Sequence, residues 1–333
     1  MAETTNERMM NQQEAGFDER AEMRRSQLNS RWGVVYSSHS GSHKAHKRWA
    51  NIRAYMQQKG VQYDFVQSES YGSVERLTTM LCQNGYHTIV IVGGDGALND
   101  AINAVMNNRE SLPDDFALGT IPNGIGNDFA RFWGFSDENY RQTVDSLIAH
   151  RTRKVDVAYC VYQDDTIPQK RYFLDCMNIG LGAKLIKGTN DAARLIGSKR
   201  LSIIPALLTR IFERKSFKFK IKIDTEEIEG EYMSVCIGNA LGYGQTPNAV
   251  PYSGFLDISA ITRPKWWQLF EGFWLLGKGR FLNYKNVHPY RASKIVIEEC
   301  EKASVSLDGL YLHGKGFTPM KIGLEREAFS FII

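Results

Sequence analysis

From residue 32 onward, short apolar runs alternate with stretches of helical pattern. Residues 32–36 (WGVVY) predict a strand, 47–59 a helix closed by Gly60, 61–66 a strand, and 73–84 a helix again followed by glycine. The unbroken apolar run 88–92 (TIVIV) leads into Gly93-Gly94-Asp95-Gly96, then a helix over 97–107 and a buried strand over 117–121. Strands that are apolar on both faces and separated by helices predict a parallel sheet covered on both sides. After about residue 154 the texture changes. The segment 217–224 (FKFKIKID) alternates apolar and basic residues, the period of a half-exposed antiparallel strand. Further strands are expected at 232–238, 256–262, 294–298, 304–307 and 328–332, with helices at 203–214 and 266–276. The expected class is α/β. A polar extension (1–30) precedes an α/β domain (31–154) and a mostly β domain (155–318). A last segment (319–333) holds a strand placed so that it can return to the first domain.

Composition narrows the function. Hydrophobic residues at 43% supply a core, and a net charge of +4 is too mild to suggest a nucleic-acid partner. The five cysteines are scattered without a C-x-x-C pair, which argues against structural zinc or a disulfide framework and fits a reducing cytosol. The N-terminus has no signal-peptide core and no apolar run approaches the ~18 residues of a membrane span, so a soluble intracellular protein is expected. His39, His43 and His46 lack an accompanying carboxylate or cysteine, and no protein-held metal site is expected there. With Lys44, Lys47 and Arg48 they form a positive stretch suited to attracting phosphates.

Two loops carry chemistry. In the first, a buried strand ends at Gly93, Gly94 and Gly96 around Asp95, and a helix follows at once. Glycines let a phosphate approach the backbone, and a helix N-terminus favours an anion. Asp95 can orient a magnesium-bound phosphate or accept a proton. The same residues also suit a tight strand-to-helix turn with Asp95 as the cap. The second loop repeats the design: a strand, then Gly124-Ile125-Gly126, then a helix capped by Asn127 or Asp128. Neither is a Walker A loop, because no Gly-Lys-Ser/Thr follows.

The pair GGDGALND (93–100) and GTIPNGIGNDFAR (119–131) resembles the diacylglycerol kinase catalytic-domain family, the lipid kinases that include sphingosine and ceramide kinases. The likeness continues in order through SSHSG (37–41), FLDCMNIGLG (173–182), Gly238-Asn239, Pro247-Asn248-Ala249, SGFLD (253–257), Leu276-Gly277-Lys278-Gly279 and VSLDG (305–309). It implies ATP- and magnesium-dependent phosphorylation of a lipid hydroxyl, such as that of diacylglycerol or a sphingoid base, in a cleft between an NAD-kinase-like three-layer α/β domain and a β-sandwich. The nucleotide contacts expected are Ser37, Ser40, Gly41, Ser68, the first loop (Gly93, Gly94, Asp95, Gly96 and Asn99) and the second (Gly124, Ile125, Gly126, Asn127 and Asp128). Transient contact of a cytoplasmic protein with a membrane surface follows from such a substrate.

The departures are specific. The family's Asn-Pro-x-Ser-Gly loop has Ser37 and Ser38 in place of Asn and Pro, and a hydroxyl residue of the second turn is Ile125. An acidic residue that holds a structural magnesium in some relatives is Ser253. The Asp-Gly-Glu motif with the proposed general base reads Asp308-Gly309-Leu310. Leucine cannot take a proton, which leaves Asp95, with Asp308 in reserve. A catalytically impaired nucleotide- or lipid-binding member and an NAD-kinase-like phosphotransferase remain the alternatives. The cluster Trp266, Trp267, Phe270, Phe273 and Trp274 fits either core packing or a helix facing lipid.

Overall fold

The computed structural model describes residues 31–38, 43–70, 72–124, 126–164, 167–185, 187–188, 215–300, 302–312 and 317–333. The extension 1–30 and the helix expected at 203–214 lie outside them. The first part alternates β1 (Trp32–Tyr36), α1 (His43–Gln58), β2 (Tyr63–Gln67), α2 (Ser73–Gln83), β3 (Thr88–Gly93), α3 (Asp95–Asn107) and β4 (Ala117–Pro122), followed by α4 (Asp128–Phe132) and α5 (Tyr140–Ala149). The strands lie in the parallel order β2-β1-β3-β4. Alternate residues of each strand point to opposite faces. Val34, Val90 and Val92 therefore join Trp49, Ile52 and Met56 of α1 and Leu147 of α5 on one side. Val35, Ile89 and Ile91 join Leu77 and Leu81 of α2 and Ala101 and Val105 of α3 on the other. This makes three layers.

The second part is an antiparallel β-sandwich. Its strands are β5 (Thr152–Asp164), β6 (Ile167–Phe173), β7 (Cys176–Gly180), β8 (Phe217–Ile223), β9 (Glu226–Tyr232), β10 (Ser234–Gly238), β11 (Leu256–Ile261), β12 (Val287–Ala292), β13 (Lys294–Glu299), β14 (Val305–Leu307), β15 (Leu310–Tyr311) and β16 (Met320–Ile332), with α6 (Gln268–Gly277) between β11 and β12. One sheet runs β12-β11-β10-β7-β14-β15. It packs on β5, β8, β13 and β16 through Met177, Ile179, Val235 and Ile258 against Phe219, Ile221, Ile295 and Ile322. On β8, Phe217, Phe219, Ile221 and Ile223 are buried, in the alternation expected from FKFKIKID.

The long last strand joins the two parts. β16 bonds β13 and β5 in antiparallel fashion and, near its end, β4 in parallel through Ser330–Ala117 and Phe331–Leu118. A single ten-stranded sheet therefore crosses from one part to the other, and the strand expected at 328–332 is the end of a much longer one. Phe331 is fully buried, edge-on to Phe129 of α4 at 5.2 Å and stacked with Trp133 at 5.9 Å. Phe331→Ala would leave a cavity that α4 and the strand cannot both close. Urea unfolding should show a loss of about 3–5 kcal/mol.

Candidate active site

The strand order sets the location. The chain leaves β1 for β2 on one side and reaches β3 on the other, so a crevice opens at the carboxyl ends of β1 and β3. Ser37 follows β1 and its N–H donates to Val92 O at 2.9 Å. Buried Ser68 follows β2, and Ser38 Oγ donates to its carbonyl at 2.6 Å. Gly93 and Gly94 end β3. Ser37, Ser68 and the first glycine loop thus share one edge. Ser40, Gly41 and Ile125 lie outside the described residues.

The two glycine loops are fastened to each other. Asp95 N donates to Gly126 O at 3.0 Å and Asn123 N to Gly93 O at 2.8 Å. Asn127 accepts from Gly124 N with Oδ1 and donates to Gly124 O with Nδ2. A Cβ on Gly94 would stand 2.7 Å from Gly126 O, and one on Gly124 would stand 2.4 Å from Gly94 Cα. These two glycines therefore admit one another's backbone, so the close approach they allow is first of all between the two loops. None of Gly93, Gly94, Gly96, Gly124 and Gly126 has a positive φ. The cap of α3 is Gly94, with Asp95 as the first helical residue, so the capping role considered for Asp95 does not hold. Asn127 stands at the cap of α4, but its side chain turns back to Gly124.

Asp95 is buried, and its charge is felt by Asp175 and Tyr243 of the second part. Asp175, in the turn between β6 and β7, is held well above the usual carboxylate range, first by burial and then by the charges of Asp128, Asp308 and Asp95. The Tyr243 phenol is likewise pushed up by burial, then by Asp95, Cys176, Asp175 and Asp128. Asp175 Oδ1 accepts from Gly242 N at 2.9 Å, which ties the 242–244 turn to this group. Asp128 also pairs with Arg131 at 3.0 Å. Sequence reasoning singled out neither Asp175 nor Tyr243 for the site. The only visible signal of Tyr243 was a bulky residue between Gly242 and Gly244.

Two predicted site residues have other work. Asn99 Nδ2 donates to Asp308 Oδ2 at 2.9 Å and to Tyr172 O at 3.0 Å, so Asn99 braces α3 against β6. Asp308 also accepts from Leu174 N at 2.8 Å, Asp175 N at 2.9 Å and Cys176 N at 3.0 Å. Its pKa is raised by burial, and these donors partly offset that. A carboxylate so enclosed is a positioning residue, which corrects its placement as a reserve proton acceptor. Leu310, one turn further on, approaches the first loop: a Cβ on Gly96 would lie 3.5 Å from Leu310 Cδ2.

Around this centre, Arg48 bridges Asn123 and Asp137 at 3.1 and 2.8 Å, and His46 bonds the Tyr36 hydroxyl at 3.0 Å. Asp257 pairs with Arg291 at 2.6 Å, and Ser253 bonds only within its own turn. In that turn Gly254 N donates to Asp156 and its carbonyl accepts from Arg326. Among the described residues no helix is long and apolar enough to cross a membrane.

Comparisons with known proteins agree with this fold. Residues 31–160 match the diacylglycerol kinase catalytic domain, and residues 176–326 match the YegS C-terminal NAD kinase beta sandwich-like domain. A diacylglycerol kinase of Bacillus subtilis is 23% identical over 293 residues, covering 84% of this chain and 89% of the relative. One from Mycobacterium tuberculosis is 28% identical over 230 residues, covering 68% and 71%. A crystal structure of a diacylglycerol kinase from Bacillus anthracis superposes with a TM-score of 0.67 at 22% identity, covering 91% of this chain and 96% of the other.

Two outcomes follow from the site's electrostatics. Asp308→Ala should destabilise the fold by upwards of about 3 kcal/mol in urea unfolding, because it strands three buried backbone N–H groups and Asn99. Asp100, on α3, is raised by burial from the usual 3.8 to about 6, with Arg171 opposing and Glu75 adding. The folded state then holds a proton that the unfolded chain releases, so stability falls as pH rises from about 4 to 6. Asp100→Asn should remove that fall and gain up to about 3 kcal/mol at pH 7, as read by urea unfolding at pH 4 and pH 7.

Proposed function

Because the chain belongs to the diacylglycerol kinase catalytic-domain family, we propose that it transfers the γ-phosphoryl group of ATP to a lipid hydroxyl. The observation that carries this reading is the convergence of Asp95, at the start of α3, with Asp128, Asp175 and Tyr243 beside the crevice between β1 and β3. Among the described residues no group of three or more His, Cys, Asp or Glu side chains is gathered to hold a metal ion by itself, so a magnesium here would arrive with the nucleotide and share its phosphates. Magnesium is commonly held by one or two carboxylates plus substrate phosphates rather than by an all-protein cage. Ser37, Ser68 and the backbone of 94–96 would hold the phosphates, and Asp95 would hold the metal. Bound there, the metal would neutralise charge on the transferring phosphoryl group. A diacylglycerol or sphingoid alcohol is the acceptor class.

Leu310 bears on rate rather than on reaction class. In this family the position carries a general-base glutamate, and here an apolar side chain lies over Gly96. Phosphoryl transfer rests mainly on positioning and charge neutralisation, so loss of the base weakens turnover without removing its other requirements.

The test is initial-rate transfer of label from γ-labelled ATP to diacylglycerol or sphingosine in mixed micelles, with NAD as control acceptor and circular dichroism on each variant. Lipid should be labelled, Asp95→Asn should lower the rate about 10²–10⁴-fold, and Leu310→Glu should raise it about tenfold or more. No labelled lipid from wild type or Leu310→Glu would overturn the proposal.

A further inference from the structure

We propose that α6 is an interfacial anchor that seats its aromatic face in an anionic phospholipid bilayer. At 100° per residue, Leu269, Gly272 and Leu275 fall on one side of the helix and Trp267, Phe270 and Trp274 on the other. The first set is buried. A Cβ on Gly272 would lie 2.9 Å from the Tyr284 ring, and the Tyr284 hydroxyl donates to Gln268 O at 2.9 Å. Leu275 joins Met233, Ile261, Phe281, Tyr284 and Val287 in a small core of its own. The helix is therefore anchored by that face alone. On the opposite side Trp267 is 52% exposed, Phe270 65% and Trp274 59%, with the preceding Trp266 at 62%. The core-packing alternative for these four rings is thereby corrected.

Charge identifies the occupant. Arg263, Lys265, Lys278, Arg280 and Lys285 are exposed around the helix, against Glu271 as the one acidic residue of 263–285. The Lys265 ammonium lies 5.3 Å from the centre of the Trp267 ring, so a cation sits beside the apolar face. Tryptophan and phenylalanine flanked by lysine and arginine match the boundary between anionic headgroups and acyl chains, where rings enter the apolar layer and cations meet phosphates. Ten residues are too few to span a bilayer, so the helix lies in the interface plane.

The anchor is connected to the cleft. A Cβ on Gly244 would touch Leu276 Cδ1 at 3.4 Å, so α6 packs on the 242–244 turn that carries Tyr243 and donates to Asp175. The proposal rests on the lipid-kinase reading for its purpose, but vesicle binding can be measured without ATP or turnover.

The experiment is co-sedimentation of the full chain with phosphatidylglycerol/phosphatidylcholine vesicles and with pure phosphatidylcholine vesicles. The variant is Trp267→Ser/Phe270→Ser/Trp274→Ser, with thermal melts for both proteins and sedimentation velocity without lipid. Wild type should bind the anionic vesicles, and added salt should weaken binding. The triple variant should lose at least about tenfold in partitioning with its melting temperature retained. Lys278→Ala/Arg280→Ala should lower binding to anionic vesicles while leaving that to phosphatidylcholine unchanged. Absent wild-type binding, or equal binding by the triple variant, would overturn the anchor. So would a wild-type dimer that the triple variant converts to monomer without any vesicle dependence, since a second copy would then cover the face.

Discussion

The buried carboxylate of Asp308 holds the two halves of the molecule in register. It stands in the left-handed turn between β14 and β15, takes three backbone N–H groups from 174–176 and the amide of Asn99, and returns its own N–H to Cys176 O. Burial opposes its charge and these donors favour it, so the ion is tolerable only while all of them stay in place. Asp95, Asn99 and Asn103 are spaced four apart on α3 and share one helical face. Asn99 and Asn103 both donate to Tyr172 O, and Tyr172 N donates to Asn103 Oδ1. Fixing that face against β6 also fixes where Asp95 stands relative to Asp175. The geometry of the cleft is thus a consequence of how the domains are clamped.

Much of the first domain was legible because its strands announce themselves locally. The runs 88–92 and 117–121 are apolar on both faces, as a central parallel strand must be. β16 was not legible over most of its length. Its middle, Glu325-Arg326-Glu327, is polar, and each of the three makes a hydrogen bond to a distant segment. Glu325 meets Lys170, Arg109 and Tyr172, Arg326 meets the Gly254 carbonyl, and Glu327 N donates to Asp156. The register shift between Glu325 and Phe329 breaks the period-two signal at the same place. Non-local ion pairs and a bulge leave no periodicity to read.

The glycine loops were found for a partly different reason from the one that governs them. Their identity and position followed from composition at the ends of two strands. That Gly94 and Gly124 exist for each other could not, because the contact joins segments thirty residues apart. Asp175 and Tyr243 were hidden in the same way: each belongs to the second domain and reaches Asp95 only once the clamp has closed. Local sequence exposes the first domain's share of the site, and the other share is a property of the assembled pair.

That division bears on the substitution at Leu310. A general base acts on one proton, whereas in the proposed reaction the loops, the clamp and the acidic residues around Asp95 would act on the placement and charge of the whole phosphate chain. A loose transition state depends chiefly on the latter. In this protein the parts that set placement interlock through buried hydrogen bonds between Gly93 and Asn123, Asp95 and Gly126, and Asn99 and Asp308. Leu310, 37% exposed on a two-residue strand, holds none of them together. The position can therefore change without disturbing the scaffold, and the arrangement that the proposed chemistry needs stays intact whichever side chain stands there.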